Sequence, residues 1–191
     1  VSEAINWALE INPSFGLMQC NTNYTAELDN FKYIHLNVLK TLRAMYPDLV
    51  LGLSDHTPGH ATVLGAVRLG ASMIEKHFTD DCSRIGPDHL FAMDPKTWKE
   101  MVERTRELEL ALGSGVKKVE DNEMETVVVQ RRALRSVSDL KAGHVIGYED
   151  LTPLRPCPED AVSPSQHKEI IGAVLTCDMP AGSHLTYKHL A

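Results

Sequence analysis

Two histidines, His56 and His77, stand out because each closes an apolar run. Leu49 to Leu53 leads into Ser54-Asp55-His56, and Ser72 to His77 ends in Glu75-Lys76-His77. If the runs are neighbouring strands, their axes lie about 4.8 Å apart, and two imidazoles at one height can share a metal ion. Side chains alternate along a strand, so Ser54 lies on the face of His56, and Glu75 on the face of His77. Two histidine ligands leave coordination positions open for water or substrate oxygens, as a catalytic metal requires. Two unrelated histidines that cap strands through hydrogen bonds would give the same pattern, and spacing alone does not separate the two readings.

Other polar residues cluster at similar places. Arg84-Ile85-Gly86-Pro87-Asp88-His89 follows His77, and Gly-Pro fixes a turn there. Asp88 suits either hydrogen bonding to sugar hydroxyls or simple turn formation. Asn23 and Tyr24 follow the run Phe15 to Cys20 with the same two readings. Arg155, in Leu154-Arg155-Pro156, reads by itself as a solvated surface residue. Cys20 is either a nucleophile or, more in keeping with free cysteine generally, a small buried hydrophobe.

The elements that must position these groups follow from periodicity. Ile5, Ala8 and Leu9 give one face to a helix over 2–11, which Asn12-Pro13 stops. Ile34, Val38, Leu42 and Met45 predict a helix within 26–46. Thr57-Pro58 and Asp94-Pro95 both read as an N-cap followed by proline at the first helical position. The second of these helices runs through Trp98, Met101, Thr105, Leu108 and Leu112 to Gly113. Strands alternating with helices predict a parallel sheet with right-handed crossovers. Polar residues at the carboxyl ends of its strands are where such folds place their chemistry.

Beyond Gly113 the pattern changes. Residues 114–127 are polar and acidic and read as a linker, leaving 1–113 and 128–191 as domains. Asp139, Ala142, Gly143, Tyr148 and Leu151 recur as Asp178, Ala181, Gly182, Tyr187 and Leu190, always 39 residues on. Two such copies predict a small β-rich domain with pseudo-twofold symmetry.

Composition narrows the function classes. The chain of 191 residues is 43% hydrophobic and 24% charged, ordinary for a globular protein, and its net charge of −7 gives no reason to expect nucleic acid as partner. No apolar run approaches the ~20 residues of a membrane span. The N-terminus has no basic stretch before an apolar core, so no signal peptide is read; it also lacks an initiator Met, and the chain is expected to begin inside a longer protein. Cys20, Cys82, Cys157 and Cys177 form no CxxC pair and read as reduced thiols of a cytoplasmic protein.

Together, Gly52-Leu53-Ser54-Asp55-His56-Thr57, Ile74-Glu75-Lys76-His77-Phe78-Thr79, Gly86-Pro87-Asp88-His89 and Lys141-Ala142-Gly143…Glu149-Asp150-Leu151…Arg155-Pro156 resemble the sialic acid (N-acetylneuraminate) synthase family, from about residue 15 to the end. The resemblance implies an α/β fold, the C-terminal portion of a (β/α)8 TIM barrel, followed by a β-rich SAF (antifreeze-like, β-clip) domain. Eight strands close such a barrel and three are read here, so 1–113 would be its last three βα units. The implied reaction condenses phosphoenolpyruvate with N-acetylmannosamine or a related acylamino sugar, giving N-acetylneuraminate or a legionaminate or pseudaminate relative plus phosphate. It implies a divalent cation, Mn2+ or Mg2+, with His56 and His77 as its ligands. Tyr24, Ser54 and Asp88 match substrate-contacting positions. Arg155 matches an arginine that the antifreeze-like domain brings to the partner's active site in a homodimer. The family's phosphate-binding lysines and an essential glutamate would lie upstream of this chain. Two departures stand out: Thr25-Ala26 where the family usually has proline soon after the tyrosine, and the acidic Cys157-Pro158-Glu159-Asp160 where it has glycines. The competing expectations are a non-catalytic fragment or stand-alone module that keeps the antifreeze-like domain for binding or oligomerisation, and another phosphoenolpyruvate-condensing aldolase of the same barrel type.

Overall fold

The three apolar runs form β1 (Gly16–Cys20), β2 (Val50–Asp55) and β3 (Met73–Lys76). The computed structural model describes residues 1–191 and joins them into one parallel sheet in the order β1-β2-β3. Around them lie α1 (Ser2–Ile11), α2 (Val38–Met45), α3 (Ala61–Arg68) and α4 (Pro95–Leu112). Leu51 and Leu53 point to the helical side and pack with Leu39, Leu42 and Ala66. Each such leucine contributes about 1.5–3 kcal/mol by leaving water, so this face holds the sheet to its helices. Gly52 and Ser54 alternate to the opposite face, with Cys20 and Glu75 at the level of Ser54.

Two local expectations fail for identifiable reasons. The segment 26–46 is not one helix: it is a 3-10 turn over Leu28–Tyr33 followed by α2. His35 has a positive φ of 48°, a left-handed conformation that no continuous α-helix can pass through. Thr57 does not cap a helix either. Its hydroxyl turns back to the Asp55 carboxylate at 2.9 and 3.0 Å, and α3 starts later, after His60. Asp94 is a cap as expected: its Oδ1 accepts from the Thr97 N–H at 2.7 Å, and Thr97 Oγ1 accepts from the Asp94 N–H at 3.0 Å.

The chain divides into two compact units, Val1–Val116 and Lys117–Ala191. The second contains α5 (Met124–Gln130), β4 (Ala133–Ser136), β5 (Leu151–Leu154) and α6 (His167–Ile170), and β4 pairs antiparallel with β5. The expected linker thus holds a 3-10 turn over Asp121–Glu123 and the start of α5.

The repeat is realised as exchanged pairing. Arg135 bridges His184, and its 39-residue image Val174 bridges Val145, the image partner. Leu140 and Met179, themselves images, exchange hydrogen bonds of 2.8 Å in both directions and so sit on the pseudo-twofold axis. Asp139 accepts from the Ala181 N–H at 2.8 Å, and Asp178 accepts from the Ala142 N–H at 2.9 Å. Each copy therefore finds its backbone partners mainly in the other. Leu134, Leu140, Ile146, Leu151, Val162, Leu175, Met179 and Leu185 form the shared core. No helix of the chain is long and apolar enough to cross a membrane.

Candidate active site in the first unit

The β2–β3 register pairs Ser54 with Glu75 and Asp55 with Lys76, so the next positions bring His56 and His77 to one level. Their ring centroids are 5.1 Å apart. His56 is buried, and its Nδ1 lies 2.8 Å from the Asn21 carbonyl oxygen. A carbonyl can only accept, so the proton sits on Nδ1 and the Nε2 lone pair is left for a ligand. An imidazole oriented through its other nitrogen is the usual arrangement of a metal-bound histidine. His77 is half-buried, and its Nδ1 lies 3.7 Å from a carboxylate oxygen of Asp88, within electrostatic reach but too far for a hydrogen bond.

The remaining candidates of this unit gather around the pair. The Tyr24 ring lies 4.3 Å from that of His56 and 5.5 Å from that of His77. Ser54 donates to the Glu75 carboxylate at 2.7 Å, two residues below the histidines. Asn23 instead turns its amide to Asn30 at 3.1 Å. Cys20 is exposed rather than buried. No group of three or more His, Cys, Asp or Glu side chains is arranged to hold an ion.

Two features escaped sequence reasoning. Phe91 is buried, with its ring 5.0 Å from His77 and 6.1 Å from both His56 and Tyr24, so it forms an apolar wall of the site. Its placement in a loop after Asp88 gave no periodic signal. The second is a buried polar cluster of Asp55, Thr57, Thr62 and Lys76, directly behind the histidines.

Arg155 belongs to the second unit. It is exposed, and its Nε donates to the Gln130 carbonyl at 2.7 Å, at the end of α5. The Cys157 N–H donates to the Val128 carbonyl at 2.8 Å, so the 155–157 loop is tied to that helix on both sides.

A sequence model described as the NeuB family matches residues 1–117. The chain belongs to the NeuB family. A second model, the SAF domain, matches residues 131–191. Among curated relatives, the N,N'-diacetyllegionaminic acid synthase of Legionella pneumophila is 40% identical over 174 residues, covering 91% of this chain and 47% of that protein. The enzyme of the same name from Campylobacter jejuni is 34% identical over 160 residues, covering 84% of this chain and 46% of its own. This NeuB-family chain thus spans about half the length of the curated relatives it matches. Among solved structures, an N-acetylneuraminic acid (sialic acid) synthetase from Leptospira borgpetersenii is 29% identical with a TM-score of 0.54, over 65% of this chain and 43% of that one.

Proposed function

We propose that this chain is the C-terminal half of a nonulosonate synthase, with residues 1–113 as the last three βα units of a (β/α)8 barrel and residues 128–191 as its SAF domain. The reaction joins carbon 3 of phosphoenolpyruvate to the aldehyde carbon of an open-chain acylamino sugar; water adds at carbon 2 and phosphate leaves with C–O cleavage. The observation that carries this reading is the His56–His77 pair, at the carboxyl ends of adjacent parallel strands in a NeuB-family chain. The likeness to two N,N'-diacetyllegionaminic acid synthases supports the legionaminate precursor sugar as the first acceptor to assay, ahead of N-acetylmannosamine.

The donor set suits a divalent cation: His56 keeps Nε2 free by spending its Nδ1 proton on Asn21. Bound there, Mn2+ or Mg2+ supplies Lewis-acid polarisation of the sugar's aldehyde. The protein groups orient and enclose. The rings of Tyr24 and Phe91 exclude water from one side of the histidines. Ser54 and the partly exposed Asp88 offer polar contacts to substrate hydroxyls. Arg155 offers a planar guanidinium that suits an amide oxygen of the acyl group, and we assign it to the partner subunit's site in a homodimer.

The test is His56→Ala and His77→Ala in the full-length protein. Both variants should keep their far-UV circular dichroism and lose Mn2+-dependent release of phosphate from phosphoenolpyruvate. Full activity in both variants would remove the histidines from the reaction and the proposal with them.

A further inference from the structure

The β2–β3 ladder ends at Asp55 and Lys76, one residue short of His56 and His77. Regular main-chain pairing therefore stops just below the level where two imidazoles would have to be held at a fixed separation. Side chains take over there. Lys76 Nζ donates to Asp55 Oδ2 at 2.7 Å and to the Thr57 carbonyl at 2.6 Å. Those two contacts fall on the residues immediately before and after His56. Asp55 Oδ1 also accepts from the Thr57 N–H at 3.1 Å, and Oδ2 accepts from the hydroxyl of Thr62 in α3. The pair is fully buried, with side-chain exposures of 1% and 0%.

Stability does not account for this arrangement. Desolvating both ions offsets most or all of their attraction, and apolar residues of similar volume usually stabilise a fold as well. A saturated ionic network does fix direction and distance, which an apolar contact leaves loose. On the opposite side of β3, the His77 carbonyl accepts from the Met93 N–H at 2.8 Å, so the backbone at His77 is held from two directions.

We propose that Asp55, Lys76 and Thr62 are positioning residues, which set the separation and aim of His56 and His77 and through them the affinity of the site for a divalent cation. The inference rests on the metal reading of the two histidines. None of the three touches substrate or cation in it.

The experiment titrates Mn2+ into the full-length protein and reads the free ion by electron paramagnetic resonance, without substrate. Far-UV circular dichroism and a thermal midpoint above the assay temperature define which variants are folded. His77→Ala should weaken binding severely. The charge-neutral double variant Asp55→Asn/Lys76→Met should bind roughly 10- to 100-fold more weakly than wild type, the usual effect of losing groups that orient metal ligands. Thr62→Ser, which keeps the hydroxyl, should bind as wild type, whereas the isosteric Thr62→Val should be at least about threefold weaker. Unchanged affinity in His77→Ala would remove the metal reading and this inference together. A weakened His77→Ala beside a folded double variant within twofold of wild type would overturn the inference alone. If the double variant does not fold, the threonine pair decides: equal affinity of Thr62→Val and Thr62→Ser overturns it.

Discussion

Gly52 offers a direct probe of how closely β2 and β3 must approach beneath the histidines. It lies on the face of Ser54, two residues below it, and its backbone needs no special φ; only space decides what fits. A Cβ placed there would sit 2.7 Å from the Met73 carbonyl oxygen, 2.9 Å from Met73 Cβ and 3.0 Å from Met18 Cγ. An ordinary carbon–oxygen contact is about 3.3 Å or more, so β3 would have to retreat by roughly 0.6 Å. The two nearest obstructing atoms are the backbone oxygen and Cβ of Met73, which cannot swing aside. Overpacking of this kind costs ~1–3 kcal/mol. In the larger full-length protein that lowers the melting midpoint by roughly 2–12 °C. Gly16→Ala is the control. Its Cβ would clash with Met73 Cε and Sδ, the flexible end of a methionine, and meet the Val50 carbonyl oxygen at an ordinary 3.7 Å, so the loss should stay below ~1 kcal/mol. Thermal melts of the two full-length variants, followed by circular dichroism, compare them directly. Gly52→Ala should also weaken Mn2+ binding, because the displaced strand carries His77. Equal midpoints for Gly52→Ala and Gly16→Ala would refute the argument that backbone approach, rather than side-chain crowding, limits this position.

Other outcomes follow from the second unit. Leu185 is completely buried in the shared core, so Leu185→Ala should cost ~2–5 kcal/mol in a denaturant titration of residues 117–191, which are expected to fold on their own. The carboxyl of Asp150 is held below the ordinary aspartate range by its hydrogen bonds with His144 at 2.7 Å and the Gly147 N–H at 2.7 Å. A depressed carboxylate stabilises the fold above its unfolded pKa of about 3.9, and that stabilisation is lost as pH falls through the folded value. His144→Leu should therefore move the acid-unfolding midpoint of residues 117–191 upward; an unmoved midpoint would show the pair to be idle. Arg155→Ala in the full-length protein should lose most activity, chiefly through a raised KM for the sugar. Mixing it with His56→Ala under conditions of subunit exchange should restore part of the activity, and mixed dimers without restored activity would contradict action in trans.

The parallel sheet and the coincidence of His56 and His77 were legible because both depend on alternation along apolar runs, a pattern written in residue order. Asp94 was legible as a cap for the same reason, since its partner Thr97 is three residues away. Thr57 was misread by identical logic. It has the residue type and the following proline of a cap, but the Asp55 carboxylate, two residues back, competes for its hydroxyl. The buried Asp55–Lys76 pair was invisible because charged residues at a strand end read as solvated, and only the register between two strands shows that one neutralises the other. The break at His35 lay hidden within a spacing of apolar residues that a helix and a turn-plus-helix satisfy equally. Phe91 had no pattern to belong to.

The exchanged pairing of the two SAF repeats has a kinetic consequence. Leu134 and Leu185 bond through their backbones across 51 residues of sequence, and Gly182 bonds back to Ser136 across 46. Contacts this distant give a high contact order, and the entropy of closing the intervening chain must be lost before the pairing returns anything. Neither copy can complete its own hydrogen bonding first and wait for the other. During synthesis the first repeat can form only its own β4–β5 ladder until the second has emerged with the partners of Leu134, Ser136 and Leu140. Folding of this region is thus tied to the emergence of the second repeat, and a chain cut before Met179 would leave Leu134, Ser136 and Leu140 of the first repeat without their backbone partners in the second.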